Sequence, residues 1–259
     1  MGKLLQYAAP LILTLGSIGC NSSKITPEIK TPRNPTKYSV ELKGTYSKME
    51  GQLQTPASGE PGSSTKGRPT LEELEMDHAY TYGATLETKI GKNTFIIGGE
   101  IVRASGKATL EENLTSQNKK FPEGSRVSAH LKQDLYTLGW LRDVYNKNRI
   151  TAAMGIGGDL LDFNYTLSGV SPVGVDRSYM KAGATVLGRL TLPLSEKLSL
   201  QADGKYPLPF ANTPQTSKAS IKLMHQFSEN INTFVGIGFK NIDYEDEQEF
   251  PNHIETKNK

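Results

Sequence analysis

Four groups of residues in this chain have types and spacings that could do chemistry. Ser128 and His130 lie two apart, a spacing that puts both on one face of a strand and sets a hydroxyl beside a base, as a nucleophilic hydrolase requires. No acid partner for them is identifiable, and none of the four histidines, His78, His130, His225 and His253, has the spacing of a metal pair. Asp243, Glu245, Asp246, Glu247 and Glu249 offer the hard oxygen ligands that gather a divalent cation. They lack the glycine turn of a calcium loop, so a solvated acidic tail is the expectation. Cys20 is the only cysteine, which excludes an intrachain disulfide and a thiolate metal cage. The fourth group is Glu41, Lys43, Glu87, Lys89, Glu100, Asp159, Arg189, Asp203, Lys205, Lys222 and Lys240, charges of both signs at alternate positions of strand-length segments. Their chemistry is mutual ion pairing across an enclosed space. No catalytic residue, metal or cofactor is expected.

The segments that carry these charges repeat with a period of two. Leu198, Leu200, Ala202, Gly204 and Tyr206 alternate with Ser199, Gln201, Asp203 and Lys205, and Val235, Ile237 and Phe239 alternate with Gly236, Gly238 and Lys240. One face is apolar and the other charged, which suits a strand between lipid and a wet lumen. A first strand starts at Tyr38, and four hairpins follow. They pair His78 to Ile90 with Thr94 to Ser105, Val127 to Val144 with Ile150 to Leu167, Tyr179 to Leu192 with Leu198 to Tyr206, and Lys218 to Phe227 with Ile231 to Tyr244. Turns within hairpins are short and polar, whereas the links at Gly51 to Thr70, Gly106 to Ser125, Ser168 to Ser178 and Pro207 to Thr216 are longer and contain Pro or Gly. A helical turn is possible at Leu71 to Met76. Nowhere is there a helical segment long enough for a parallel crossover, so the sheet is antiparallel.

Composition agrees with that architecture. Only 36% of residues are hydrophobic, natural for a barrel whose apolar side chains form an outer belt. Lys and Arg number 30 against 27 Asp and Glu, dispersed through the strands, so there is no footprint for nucleic acid. At the N-terminus a short basic start precedes the apolar run Leu4 to Gly19, interrupted by Gln6 and Pro10 and too short for a span of ~20 residues. It reads as a secretory signal. The organisation expected is a signal peptide at 1–19, a Pro-containing tether at 20–36, a barrel domain at 37–246 and a polar tail at 247–259.

Two resemblances follow from these residues. Gly16, Ser17, Ile18, Gly19 and Cys20 resemble a bacterial lipoprotein box, although Ser17 stands where that family usually has Leu; the resemblance implies acylation of Cys20. Tyr38 to Tyr244 resembles the small outer-membrane barrels of the OmpA, OmpX and opacity-protein type, most closely in the glycine-and-aromatic strand Phe234 to Tyr244. That likeness implies an all-β, antiparallel up-and-down transmembrane barrel of roughly 8 to 10 strands in the bacterial outer membrane. The sequence departs from it twice. Nine strands are counted where an even number is usual, so either Tyr38 to Ser47 lies outside an eight-strand barrel or a tenth strand hides in Gln248 to Thr256. The chain also continues past the terminal aromatic that assembly machinery reads, a part that Phe239 or Tyr244 would have to play. Ser128 and His130 invite comparison with membrane-embedded lipid A deacylases, in reversed order.

The leading functional expectation is a non-enzymatic outer-membrane protein with a structural or surface-interaction role. Its partner in the membrane is lipid, its long loops face an unknown partner, and its lumen is plugged by paired charge, not porin-like in width. Tyr80, Tyr82, Tyr136, Trp140, Tyr145, Phe163, Tyr165, Tyr179 and Tyr206 are expected to form aromatic girdles at the bilayer interfaces. The alternative is a lipid-anchored soluble periplasmic barrel with the alternation inverted, apolar faces inward around a hydrophobic ligand. A lipid-modifying hydrolase at Ser128 and His130 is the third.

Overall fold

The computed structural model describes residues 17–18, 36–54, 70–116, 119–169, 174–210, 213–227, 231–245 and 253–258. The described residues form thirteen strands. A two-residue β1 (Ser17–Ile18) precedes β2 (Thr36–Gln54), β3 (His78–Ile90) and β4 (Asn93–Thr109). A small hairpin, β5 (Leu114–Ser116) with β6 (Lys119–Phe121), interrupts the link to β7 (Arg126–Lys147) and β8 (Ile150–Ser168). The remainder are β9 (Gly174–Pro193), β10 (Leu198–Pro207), β11 (Gln215–Gln226), β12 (Ile231–Glu245) and β13 (His253–Asn258).

Ten of these close into a barrel. The order is β12-β11-β10-β9-β8-β7-β4-β3-β2-β13, every pairing is antiparallel, and β13 pairs back onto β12. The tenth strand therefore lies in the stretch expected as a polar tail, with His253 opposite Glu245 and Asn258 opposite Lys240. The barrel runs to Asn258 and not to 246, and parity becomes even. Alternation is strong enough elsewhere that the four hairpins keep their sequence-expected pairings. At the two-residue turn between β7 and β8, Asn148 and Arg149 both have positive φ, 53° and 65°, the mirror-image turn whose twist matches the strands it joins.

All the short turns lie at one end of the barrel and all the longer links at the other. Polarity changes between those ends. Near the short turns, outward positions are aliphatic and exposed, such as Leu86, Ile97, Leu138 (63% exposed), Ile156 (60% exposed), Leu190, Ile221 and Ile237, while inward positions are mostly Thr, Gly and charged residues, with one small apolar cluster of Ile96, Leu141, Ala153 and Leu187 among them. Further along the same strands the sense inverts. On β4 the outward row Phe95, Ile97, Gly99, Ile101 gives way to Arg103, Ser105, Lys107, Thr109, and the inward row changes from Thr94, Gly98 and Glu100 to Val102, Ala104 and Ala108. On β8 the outward Met154, Ile156 and Leu160 are followed by Asp162, Asn164 and Thr166, as inward Asp159 is followed by Leu161, Phe163, Tyr165 and Leu167.

The apolar interior of the long-link end is filled. Met49, Leu53, Val127, Leu131, Leu135, Phe163 and Tyr165 converge there with Leu110, Leu114 and Phe121 from the β5–β6 link. Leu71, Leu74 and Met76, all fully buried, enter from the turn between β2 and β3. That turn is organised by a reciprocal capping box: the Thr70 backbone N–H donates to Glu73 Oε2 at 2.7 Å, and the Glu73 N–H donates to Thr70 Oγ1 at 3.1 Å. It sits against β4 so closely that a Cβ on Gly106 would lie 2.0 Å from the Leu74 carbonyl oxygen. Only glycine allows that contact.

Candidate functional site

Below this apolar plug, the inward faces of the belt half carry an ion-pair network, built wherever an alternating strand places a charge on its lumen side. Arg189 on β9 makes two hydrogen bonds to Glu87 on β3, at 2.8 and 2.7 Å, and one through Nε to Asp203 on β10 at 2.6 Å. Asp203 also accepts from Gln201 at 2.8 Å and lies 3.4 Å from the Lys222 ammonium. Lys222 on β11 bonds both oxygens of Glu41 on β2 at 2.8 Å, and sits 5.1 Å above the Phe234 ring. Lys205 on β10 and the Thr137 hydroxyl on β7 donate to Asp159 on β8, at 2.9 and 2.7 Å. Nearest the short turns, Lys89 on β3 donates to Asp143 on β7 at 2.7 Å. Towards the plug, Glu100 on β4 receives Lys43, Lys218 and Lys240, the last at 3.3 Å.

The eleven charges singled out in the sequence thus all face the lumen, and each has a partner of opposite sign. Two participants, Lys218 and Asp143, lay beyond the sequence argument. Lys218 begins the β11 pattern and Asp143 ends that of β7, so period two at a strand end gave neither a face. Seven cations (Lys43, Lys89, Arg189, Lys205, Lys218, Lys222, Lys240) meet six carboxylates (Glu41, Glu87, Glu100, Asp143, Asp159, Asp203). Taking charges out of water is costly unless partners and hydrogen bonds compensate, and here nearly every oxygen named has a donor. A cavity of about 130 Å³ remains among these side chains, room for a few ordered waters.

The aromatic residues divide. Tyr80, Tyr82, Tyr136, Tyr145 and Tyr206 are exposed on the outer wall, and Trp140, also on that wall, donates from its indole to Asn93 at 3.2 Å. Phe163, Tyr165 and Tyr179 are not in a girdle. They point into the plug, where Phe163 stacks on Tyr179 at 4.8 Å and Tyr179 meets Tyr244 at 4.9 Å. The reason is the inversion of polarity along β8 and β9: past Leu160 the inward row is the apolar one.

Ser128 and His130 do share a face, with Oγ 3.4 Å from Nε2, on the exposed outer wall beyond the belt. Among the described residues no carboxylate hydrogen-bonds His130. Cys20 lies outside the described residues, as do the signal and tether apart from Ser17, Ile18 and Thr36. Asp246, Glu247 and Glu249 are also outside them, and no cluster among the described residues could hold a metal ion. The Gly106 to Ser125 link is not a wholly polar loop, because Ala108, Leu110, Leu114 and Phe121 are buried in the plug.

Beyond the belt, the outer wall carries its own ion pairs. Asp134 accepts from Arg103 at 2.5 Å and lies 3.2 Å from Lys132, which also reaches Asp162 at 3.2 Å. Burial works against the Asp134 charge, but the hydrogen bonds from Arg103 and Lys132 outweigh it and hold its carboxyl below the usual range. Comparison of the chain with models of protein families, with curated proteins and with solved structures gives no match.

Proposed function

We propose that this protein is an outer-membrane β-barrel in which the belt half crosses the bilayer and the plugged half projects beyond it, serving a structural or surface-interaction role. The observation that carries this is the inversion of polarity along β4, β7, β8 and β12. A ring of exposed aliphatic side chains, far larger than the patches soluble proteins leave open, surrounds a charged lumen, and where that ring ends the interior turns apolar. On β2 the outward apolar row runs from Tyr38 to Tyr46 before Lys48, Glu50 and Gln52 follow. Nine residues at about 3.3 Å each, tilted by ~40°, rise ~23 Å, close to the ~25 Å apolar band of such barrels.

The long links lie at the plugged end, which by the usual rhythm of short periplasmic turns faces outside. The surface available to a partner is then the polar outer wall above the belt, with Arg103, Ser105, Lys107, His130 and Asn164, together with the links that top it. A soluble barrel with an apolar ligand inside is less well supported, because the apolar interior is already occupied by Leu71, Leu74 and Met76. Gel mobility of the protein from washed outer membranes, in SDS with and without boiling, tests the reading. A heat-dependent shift is expected of a closed, detergent-resistant membrane barrel. No shift, with release from membranes once Cys20 is removed, would favour the anchored soluble form.

A further inference from the structure

The near-equality of charge in the lumen conceals a local excess. Glu100 is the one carboxylate partner of three lysines, Lys43, Lys218 and Lys240, among the described residues. The other five lumen carboxylates face four cations. Three lysines therefore share one carboxylate, with Lys240 only 7% exposed. Buried amines in excess of their carboxylate are relieved either by losing a proton or by taking up a further anion.

The wall beside this cluster is incompletely paired. β13 bridges β2 and β12 only from His253 to Asn258, and β1 only at Ser17 and Ile18, near the short turns. Between those bridges, Lys43 to Ser47 of β2 and Phe234 to Gly238 of β12 face each other with no strand partner on that edge among the described residues. A cavity occupies the place. Its lining includes Lys43, Glu100, Lys218 and Lys240 from the lumen and also Ile237 and Phe239, whose side chains stand on the lipid face, so it passes around the free edge of β12. Two buried polar atoms in its lining, Asn258 Oδ1 and Ser220 Oγ, have no hydrogen-bond partner among the described residues, and Asn258 is only 6% exposed.

We infer that the seam between β2 and β12 is a lateral site for an anionic amphiphile, its carboxylate or phosphate held by Lys43, Lys218 and Lys240 and its alkyl chain leaving through the wall past Ile237 and Phe239. The lysines compensate the headgroup, Ser220 has a hydroxyl to donate to it, and the chain continues into the hydrocarbon that Ile237 and Phe239 face. The inference rests on the belt spanning a bilayer.

The test uses the full chain reconstituted in phosphatidylcholine bicelles and reads the thermal midpoint with dodecyl phosphate, inorganic phosphate or dodecanol added. Dodecyl phosphate is expected to raise the midpoint saturably by several degrees, since a ligand bound only by the folded state stabilises it. Inorganic phosphate should need at least tenfold higher concentration, and dodecanol should do nothing. The K218Q/K240Q variant should lose the shift, while K132Q, on the outer wall, should keep it. If K218Q/K240Q fails to fold, K43Q is read in its place. Equal shifts from both phosphates would overturn the passage through the wall. No anion-specific shift, or one that survives in the lumen variants, would overturn the site altogether. Failure to reconstitute in bicelles would instead count against the membrane-spanning reading.

Discussion

Asp159 and Asp162, three residues apart on β8, face opposite sides of the same wall: Asp159 is held in the lumen by Lys205 at 2.9 Å, and Asp162 is held outside by Lys132 at 3.2 Å. Between them the outward row changes from Leu160 to polar and the inward row changes from Asp159 to Leu161. A single strand thus carries the alternation expected of a membrane strand below this point and that of a water-soluble barrel above it. On the membrane-spanning reading proposed above, the crossover is where the bilayer boundary would lie.

The same boundary predicts unequal tolerance of charge along one strand face. Ile97 and Ser105 both point outward from β4, below and above the crossover. I97R should destabilise the barrel in liposomes by ~2–4 kcal/mol, the cost of a basic side chain near the midplane. S105R should change stability by less than about 0.5 kcal/mol, as at an ordinary surface site. Urea unfolding of the two variants, followed by tryptophan fluorescence, measures the difference; equal costs would place both positions in the same solvent.

The plug should be sensitive at two places that touch no ligand. G106V forces a side chain into the space held by the Leu74 and Glu75 carbonyls, 2.0 and 2.5 Å from its Cβ, so the turn must move and withdraw Leu71, Leu74 and Met76. A loss on the order of 3 kcal/mol is expected for such overpacking. T70A removes only the cap and should cost ~1 kcal/mol. Limited proteolysis in the region of Thr70 should accelerate in G106V well before the barrel itself unfolds.

Within the lumen, E87Q leaves the Arg189 guanidinium with Asp203 as its remaining carboxylate and converts a bidentate pair into a single one. A loss of about 3 kcal/mol is expected from stranding part of a largely buried charge. Replacing both partners, as R189M/E87L, should recover much of it, because the desolvation penalty goes with the charges. A double-mutant cycle in urea gives both numbers.

Acid should weaken the projecting half through Asp134. Its carboxyl is depressed in the folded state, so its stabilisation is fully present above the unfolded Asp value of ~3.9 and is lost as pH falls through the lower folded value. Stability of the wild type should therefore decline below about pH 4 more steeply than that of D134N. Parallel pH profiles for the two proteins would contradict the assignment.

Much of this architecture is legible in the sequence because period two survives wherever the two faces of a strand differ in polarity. The hairpin from His78 to Ser105 and its three successors keep their partners, and each of the eleven singled-out charges meets an opposite charge. The tenth strand is harder to see. In His253 to Asn258 the short pattern His-Ile-Glu-Thr-Lys-Asn carries one aliphatic residue, and its pairing depends on β2 and β12, about 200 residues apart in sequence. Phe163, Tyr165 and Tyr179 mislead for a different reason. Alternation gives the face but not the depth, so nothing local says that the apolar row has moved from outside to inside. Burial of Leu110, Leu114 and Phe121 is likewise invisible in a link read by its Pro and Gly content.

The central claim is that a bilayer surrounds the lower half of the barrel and ends at the crossover. In a W140F background, I97W and S105W place single tryptophans eight residues apart on the same outward face of β4, and quenching by phosphatidylcholine brominated along its acyl chains reports which of them contacts hydrocarbon. The account predicts strong quenching of I97W and almost none of S105W. Two tryptophans equally quenched, or both untouched by the brominated lipid, would contradict it.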